Sequence, residues 1–218
     1  CVKFYNNMNK FLKNRRKLKK NFRNRKKMFG GWASFSQPSI IEILSNVGFD
    51  FLAIDMEHSP ISLSDSQQII QISQSYDIPC LPRPVSHSND WIKPILDFGA
   101  DGLFITTLED EKQLKHLEQL LKYPPLGKRS YGVNRAQVYG FEAENYFNTW
   151  NSSSIMIGQI ENIKGIENLE KILKTNILDG IMIGPYDLAG SMGYPGQVNN
   201  SKVKKECEKI IKICEKYN

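Results

Sequence analysis

At 218 residues, 40% of them hydrophobic, the chain has material for one sizeable core and too little for two comfortable domains. No apolar stretch approaches the roughly 18 residues of a membrane-spanning helix, and the N-terminus lacks the apolar run of a signal peptide. The net charge of +6 is unevenly placed: residues 1–27 hold 12 Lys and Arg and no acid, leaving 17 basic against 23 acidic residues in the remainder.

In chain order, the basic arm (1–27) reads as a solvated tail or helix face. It has no repeated aromatic interleaving and no folded nucleic-acid motif, so a nucleic-acid partner is not expected. After Phe29 the pattern alternates. Residues 32–35 read as a strand and 39–46 as a helix closed by Gly48. Residues 51–55 read as a strand and 64–76 as a helix, with Ser64 ahead and Gln67 at the capping-box position. Ile69, Ile72 and Tyr76 give that helix a core face. Strand 79–83 precedes helix 90–98, which Gly99 closes, and strand 102–106 precedes helix 109–122. The stretch 123–153 is long for a loop. Its aromatic cluster (Tyr139, Phe141, Tyr146, Phe147, Trp150) predicts a small helix and a contribution to a rim. Strand 155–160, helix 163–174, strand 180–183 and helix 201–217 complete the series. Cys1, Cys80, Cys207 and Cys214 form no C-x-x-C pair, which suits a reduced compartment and predicts a cytoplasmic protein.

Short apolar strands alternating with helices predict an α/β fold with a parallel sheet. Only Ser36-Gln37-Pro38-Ser39 follows the first strand, with no glycine-rich phosphate loop. Polar residues recur at the ends of strands two, three, five and six, which favours a TIM-type (β/α)8 barrel over an open sheet. Six strands and an opening Cys1 predict a barrel truncated after about six βα units. The expected division is a basic arm, 1–27, and an incomplete catalytic barrel, 28–218, with Met8 as a candidate start. Such a fragment is expected to expose strand edges and to lack activity alone.

Two carboxylates carry the strongest chemical signal. Glu161 ends one apolar strand, and Asp187 follows the next in Gly184-Pro185-Tyr186-Asp187. In a β-α-β unit those strand ends are adjacent, and two acids there call for a shared proton or cation. Gln159 shares the face of Glu161. Arg83, flanked by Pro82 and Pro84, has a stiffened backbone and a fork suited to a carboxylate.

These blocks resemble the HpcH/HpaI family of metal-dependent pyruvate aldolases, the class II 2-oxo-3-deoxy acid aldolases. The resemblance rests on Gln159-Ile160-Glu161-Asn162 and on the run from Gly184 to Gly196. It extends to residues 54–60, 81–84, 96–100 and 123–130, in family order. It implies a phosphoenolpyruvate/pyruvate-type barrel and reversible retro-aldol cleavage of a 4-hydroxy-2-oxo acid to pyruvate and an aldehyde. Glu161 and Asp187 would hold a divalent metal ion (Mg²⁺, Mn²⁺ or Co²⁺), and Arg83 the pyruvate carboxylate. His58 takes the acid/base position, supported by Asp55 and by Asp97 of the same or a neighbouring subunit; Glu57 is the weaker member of that block. Gln159 would bond the ligand shell, and the turn Gly184, Pro185, Tyr186 would offer backbone N–H groups to the carboxylate. Tyr186 is bulkier than the family's usual residue. Arg135 would meet a distal acid group. A homo-oligomer, trimer or hexamer, is implied for the full-length protein.

Three rivals stand beside this reading. A Schiff-base aldolase needs a strand lysine, and Lys164 lies in a helix start. A citrate-lyase-like enzyme acting on CoA thioesters would use a similar acid pair. A non-catalytic barrel with a nucleic-acid-binding arm would leave the acid pair, Arg83 and His58 without a task.

Overall fold

The computed structural model describes residues 2–217, with side chains from Lys10 onward. Cys1 lies outside the described residues. Among the described residues the strands form two three-stranded sheets, ordered β1-β2-β3 and β4-β5-β6, and no closed barrel. The strands are β1 (Gly30–Ala33), β2 (Phe51–Asp55), β3 (Cys80–Arg83), β4 (Gly102–Ile105), β5 (Ile155–Ile160) and β6 (Gly180–Ile183). The helices are α1 (Val2–Arg23), α2 (Pro38–Asn46), α3 (Leu63–Ser75), α4 (Asn89–Asp97), α5 (Glu111–Leu121), α6 (Ala143–Ser153), α7 (Ile163–Lys174), α8 (Pro185–Ser191) and α9 (Ser201–Lys216). The chain divides into two compact units. The first runs to Phe104 and includes Gln119–Ile155; the second is Ile105–Glu118 and the chain from Met156 onward.

In the first unit β1, β2 and β3 are parallel, with Trp32 beside Ala53 and Asp55 beside Arg83. β1 begins two residues before the predicted strand, because Gly30 and Gly31 pair with Phe51 and Leu52. α3 is capped by Ser62, not Ser64. The Asp65 carboxylate accepts from Ser62 N at 2.9 Å while Ser62 Oγ accepts from Asp65 N at 3.1 Å, so Gln67 has no capping role. The buried stripe of α3 also differs from expectation. It is Ser66, Ile69, Ile70, Ser73 and Gln74, with Tyr76 exposed. Three polar members hid this stripe from an apolar count. Gln74 is buried because its amide donates to the Gly99 carbonyl (2.8 Å) and to Asp101 Oδ2 (2.9 Å).

The basic arm forms α1, and one of its faces is built into the first unit. Leu18 and Arg15 are buried. Arg15 Nε donates to the buried Asp101 at 2.9 Å and its guanidinium lies 4.8 Å from the Trp150 ring. Lys19 Nζ donates to the Ser154 carbonyl at 2.7 Å. Lys13, Arg16, Lys17 and Lys20 stay exposed. The long stretch 123–153 contains a 3-10 turn, Arg135–Gly140, and α6. Tyr146 and Trp150 are buried in it, whereas Tyr139 and Phe141 face outward.

In the second unit β5 and β6 are parallel, with Ile160 beside Ile183. The Asn162 side chain caps α7 by accepting from Gly165 N at 2.8 Å. α9 packs on α7, α8 and β6, burying Val203 and Ile210. α8 was not foreseen; it is seven residues long and opens on Pro185, a residue preset for a first helical position.

Candidate active site

The first unit gathers a charged cluster at the ends of β2 and β3. The parallel register sets Arg83 directly beside Asp55. Arg83 Nη2 donates to Asp55 Oδ1 at 2.8 Å, and its Nε lies 3.2 Å from Glu57 Oε2. The guanidinium stacks 4.8 Å from the Trp32 ring, while the Trp32 indole N–H donates to Asp55 Oδ2 at 3.3 Å. Arg83 is only 7% exposed, and such a cation requires ionic partners. Asp55 Oδ1 also accepts from the backbone N–H groups of Glu57 (3.2 Å) and His58 (3.0 Å). Burial alone would push the Asp55 carboxyl up. The His58 N–H, the Arg83 guanidinium and the Trp32 indole outweigh it and hold the carboxyl below the usual carboxylate value.

His58 has its backbone fixed by Asp55, while its side chain is 66% exposed, with Nε2 3.7 Å from Glu57 Oε2. Asp97 occupies the last position of α4. Its Oδ1 accepts from Arg129 Nη2 at 2.7 Å. Arg129 is itself held among the rings of Tyr123, Tyr146 and Trp150, at 4.8, 5.6 and 4.9 Å. Arg135 points inward: its Nη1 donates to Gln74 Oε1 (2.7 Å) and to the Phe98 carbonyl (2.9 Å). Both partners lie within the first unit.

The second unit holds the acid pair. Glu161 follows the last residue of β5, opposite Gly184, whose N–H donates to the Ile160 carbonyl at 3.0 Å. Glu161 is only 6% exposed. Its Oε1 accepts from both Thr107 N (2.6 Å) and Thr107 Oγ1 (2.7 Å), and its Oε2 accepts from Gln159 Nε2. A carboxylate offers about four lone-pair sites. Three are occupied, so one remains, on Oε2. Gly184 keeps that oxygen accessible: a Cβ there would stand 2.7 Å from Glu161 Cβ and 2.9 Å from Oε2.

Asp187 lies one helical turn beyond Gly184, in the first turn of α8, and is exposed. Its carboxylate makes no hydrogen bond or ion pair among the described residues. The expectation for the turn N–H groups needs correction. Gly184 N–H is bonded to Ile160 and Pro185 has none, which leaves those of Tyr186 and Asp187. The Tyr186 ring is 68% exposed. Among the described residues no group of three or more His, Cys, Asp or Glu converges as a metal site.

Sequence reasoning missed Thr107, Trp32 and Arg129. Thr107 just past a strand end and Arg129 within the block 123–130 were the available signals; no residue pattern pointed to Trp32.

Parallel β-α-β units with arginine, histidine and acids at their strand ends define an α/β enzyme. Residues 28–218 match the family described as HpcH/HpaI aldolase/citrate lyase. The hydroxypyruvate/pyruvate aldolase of Roseobacter denitrificans is 38% identical over 189 residues, 85% of this chain and 73% of that protein. The 2-keto-3-deoxy-L-rhamnonate aldolase of Salmonella paratyphi B is 35% identical over 184 residues, 84% of this chain and 68% of that protein. A solved HpcH/HpaI aldolase/citrate lyase family protein from Burkholderia cenocepacia superposes with a TM-score of 0.87 at 28% identity, covering 92% of this chain and 81% of that one. Macrophomate synthase, at 23% identity and a TM-score of 0.79, shares the fold over 93% of this chain and 73% of its own. The chain belongs to the HpcH/HpaI aldolase/citrate lyase family and is a carbon–carbon lyase of the aldolase type.

Proposed function

We propose that the protein cleaves a 4-hydroxy-2-oxo acid reversibly to pyruvate and an aldehyde, with a divalent cation held by Glu161 and Asp187. The observation that carries the metal assignment is Glu161: a buried carboxylate with three bonds, one open lone pair on Oε2, and a glycine where a side chain would cover it. Two hard oxygen donors suit Mg²⁺, Mn²⁺ or Co²⁺. Such a cation would supply positive charge for the oxygen on which negative charge develops.

The chain's own groups have these roles. Arg83, its plane fixed by Asp55, Glu57 and Trp32, binds the substrate carboxylate through its fork. His58 Nε2 takes the proton of the 4-hydroxyl as the C3–C4 bond breaks. The bonding pair stays on C3 as pyruvate enolate, the aldehyde departs, and a proton returns to C3. Asp55 holds the His58 backbone, and Gln159 holds Glu161 Oε2. The N–H groups of Tyr186 and Asp187 are available to an anion. A cytoplasmic homo-oligomer remains part of this reading.

EDTA should abolish pyruvate release from a 4-hydroxy-2-oxo acid, and Mn²⁺, Co²⁺ or Mg²⁺ should restore it. Glu161→Gln or Asp187→Asn should remove Mn²⁺ binding in calorimetry. Full activity in EDTA together with borohydride trapping of pyruvate on the protein would refute the proposal.

A further inference from the structure

We infer that Thr107 is a positioning residue for Glu161, holding Oε1 so that Oε2 alone is presented to a divalent cation. The inference rests on the metal reading above and concerns a residue outside the acid pair.

Thr107 has φ of 45°, in the left-handed region. A β-branched residue there is a conformational outlier, and such outliers persist only where the surroundings enforce them. Here the surroundings do so from both sides. The Thr107 carbonyl accepts from Gln113 Nε2 at 3.1 Å, and Gln113 Oε1 accepts from Glu109 N at 2.8 Å. The next residue, Leu108, donates its N–H to the Gln159 carbonyl at 3.1 Å. The turn after β4 is thus clamped by α5 and by β5.

The consequence is directional. Thr107 aims its N–H and its hydroxyl at the same oxygen, at 2.6 and 2.7 Å, lengths typical of charge-assisted bonds. Both lone pairs of Oε1 are then occupied, and the carboxylate cannot rotate to offer two oxygens without breaking two bonds. Glycine would adopt the dihedral without strain but would lack the hydroxyl. The position therefore combines an unfavourable backbone with the one feature, Oγ1, that completes the hold on Oε1.

The test is Mn²⁺ binding to metal-free protein by calorimetry, beside thermal melts without metal. Thr107→Val and Thr107→Gly should weaken Mn²⁺ about 10–100-fold, the range for groups that orient a ligand. Thr107→Ser, which keeps the hydroxyl, should bind close to the unaltered protein. Native affinity in Thr107→Val, with binding abolished in Glu161→Gln, would overturn this inference and leave the metal reading intact. Equal losses in the Ser and Val variants would also overturn it, since the hydroxyl would not be the cause. If the unaltered protein takes up no Mn²⁺, or Glu161→Gln binds it normally, the metal reading itself falls. Should the Val variant fail to fold, the Gly and Ser variants make the same comparison.

Discussion

Gly184→Ala adds one methyl group at the point where β6 turns into α8. That methyl carbon would lie 2.7 Å from Glu161 Cβ, 2.9 Å from Oε2 and 3.2 Å from Gln159 Nε2. Carbon atoms pack at about 3.5–4.0 Å, so a shift of roughly 1 Å is required. The turn cannot easily retreat, because Gly184 N–H is bonded to the Ile160 carbonyl at 3.0 Å. Glu161 must therefore move against its two bonds from Thr107. Overpacking of this kind costs about 1–3 kcal/mol. Displacing a ligand that neighbouring groups orient should weaken metal about 10–100-fold. Calorimetric titration with Mn²⁺ and urea unfolding would read the two effects separately. Gly190→Ala in the same helix is the control. A Cβ there meets nothing within 4 Å, so it should bind metal normally and gain about 0.5–1 kcal/mol of stability from helix propensity. A Gly184→Ala protein with native Mn²⁺ affinity and native stability would refute the argument that glycine keeps Oε2 open.

Two further outcomes follow from the first unit. The folded-state carboxyl of Asp55 lies below its ordinary value, so its contribution is present above the unfolded value and is lost as pH falls through the folded one. In Arg83→Gln, burial acts on Asp55 with less opposition, its folded-state value moves up toward the unfolded one, and the acid-side loss of stability should become smaller; urea midpoints followed from neutral pH downward check this, and superimposable profiles would contradict it. Arg15→Met should leave the buried Asp101 without its cation, at a cost of about 3–5 kcal/mol, read as a lower urea midpoint; an unchanged midpoint would show that α1 contributes little to the first unit.

The alternation of short apolar strands with amphipathic helices was legible because burial on both faces imposes continuous hydrophobicity on a parallel strand. Glu161, Asp187, Arg83 and the Asp55–His58 block were legible too, since charged residues at the ends of apolar runs stand out from a pattern that otherwise excludes them. Tertiary structure decided the rest. The core face of α3 was hidden because Ser66, Ser73 and Gln74 are buried by hydrogen bonds to partners that include Gly99 and Asp101, far along the chain. The basic arm read as a solvated tail or helix face, yet Arg15 is buried because Asp101 and Trp150 receive its charge. Thr107 lies 54 residues from Glu161, and no local pattern could join them. Composition and periodicity determine which segments become strands and helices. Which polar side chain is buried, and which oxygen of a carboxylate stays open, depends on partners that only the folded chain brings within hydrogen-bonding distance.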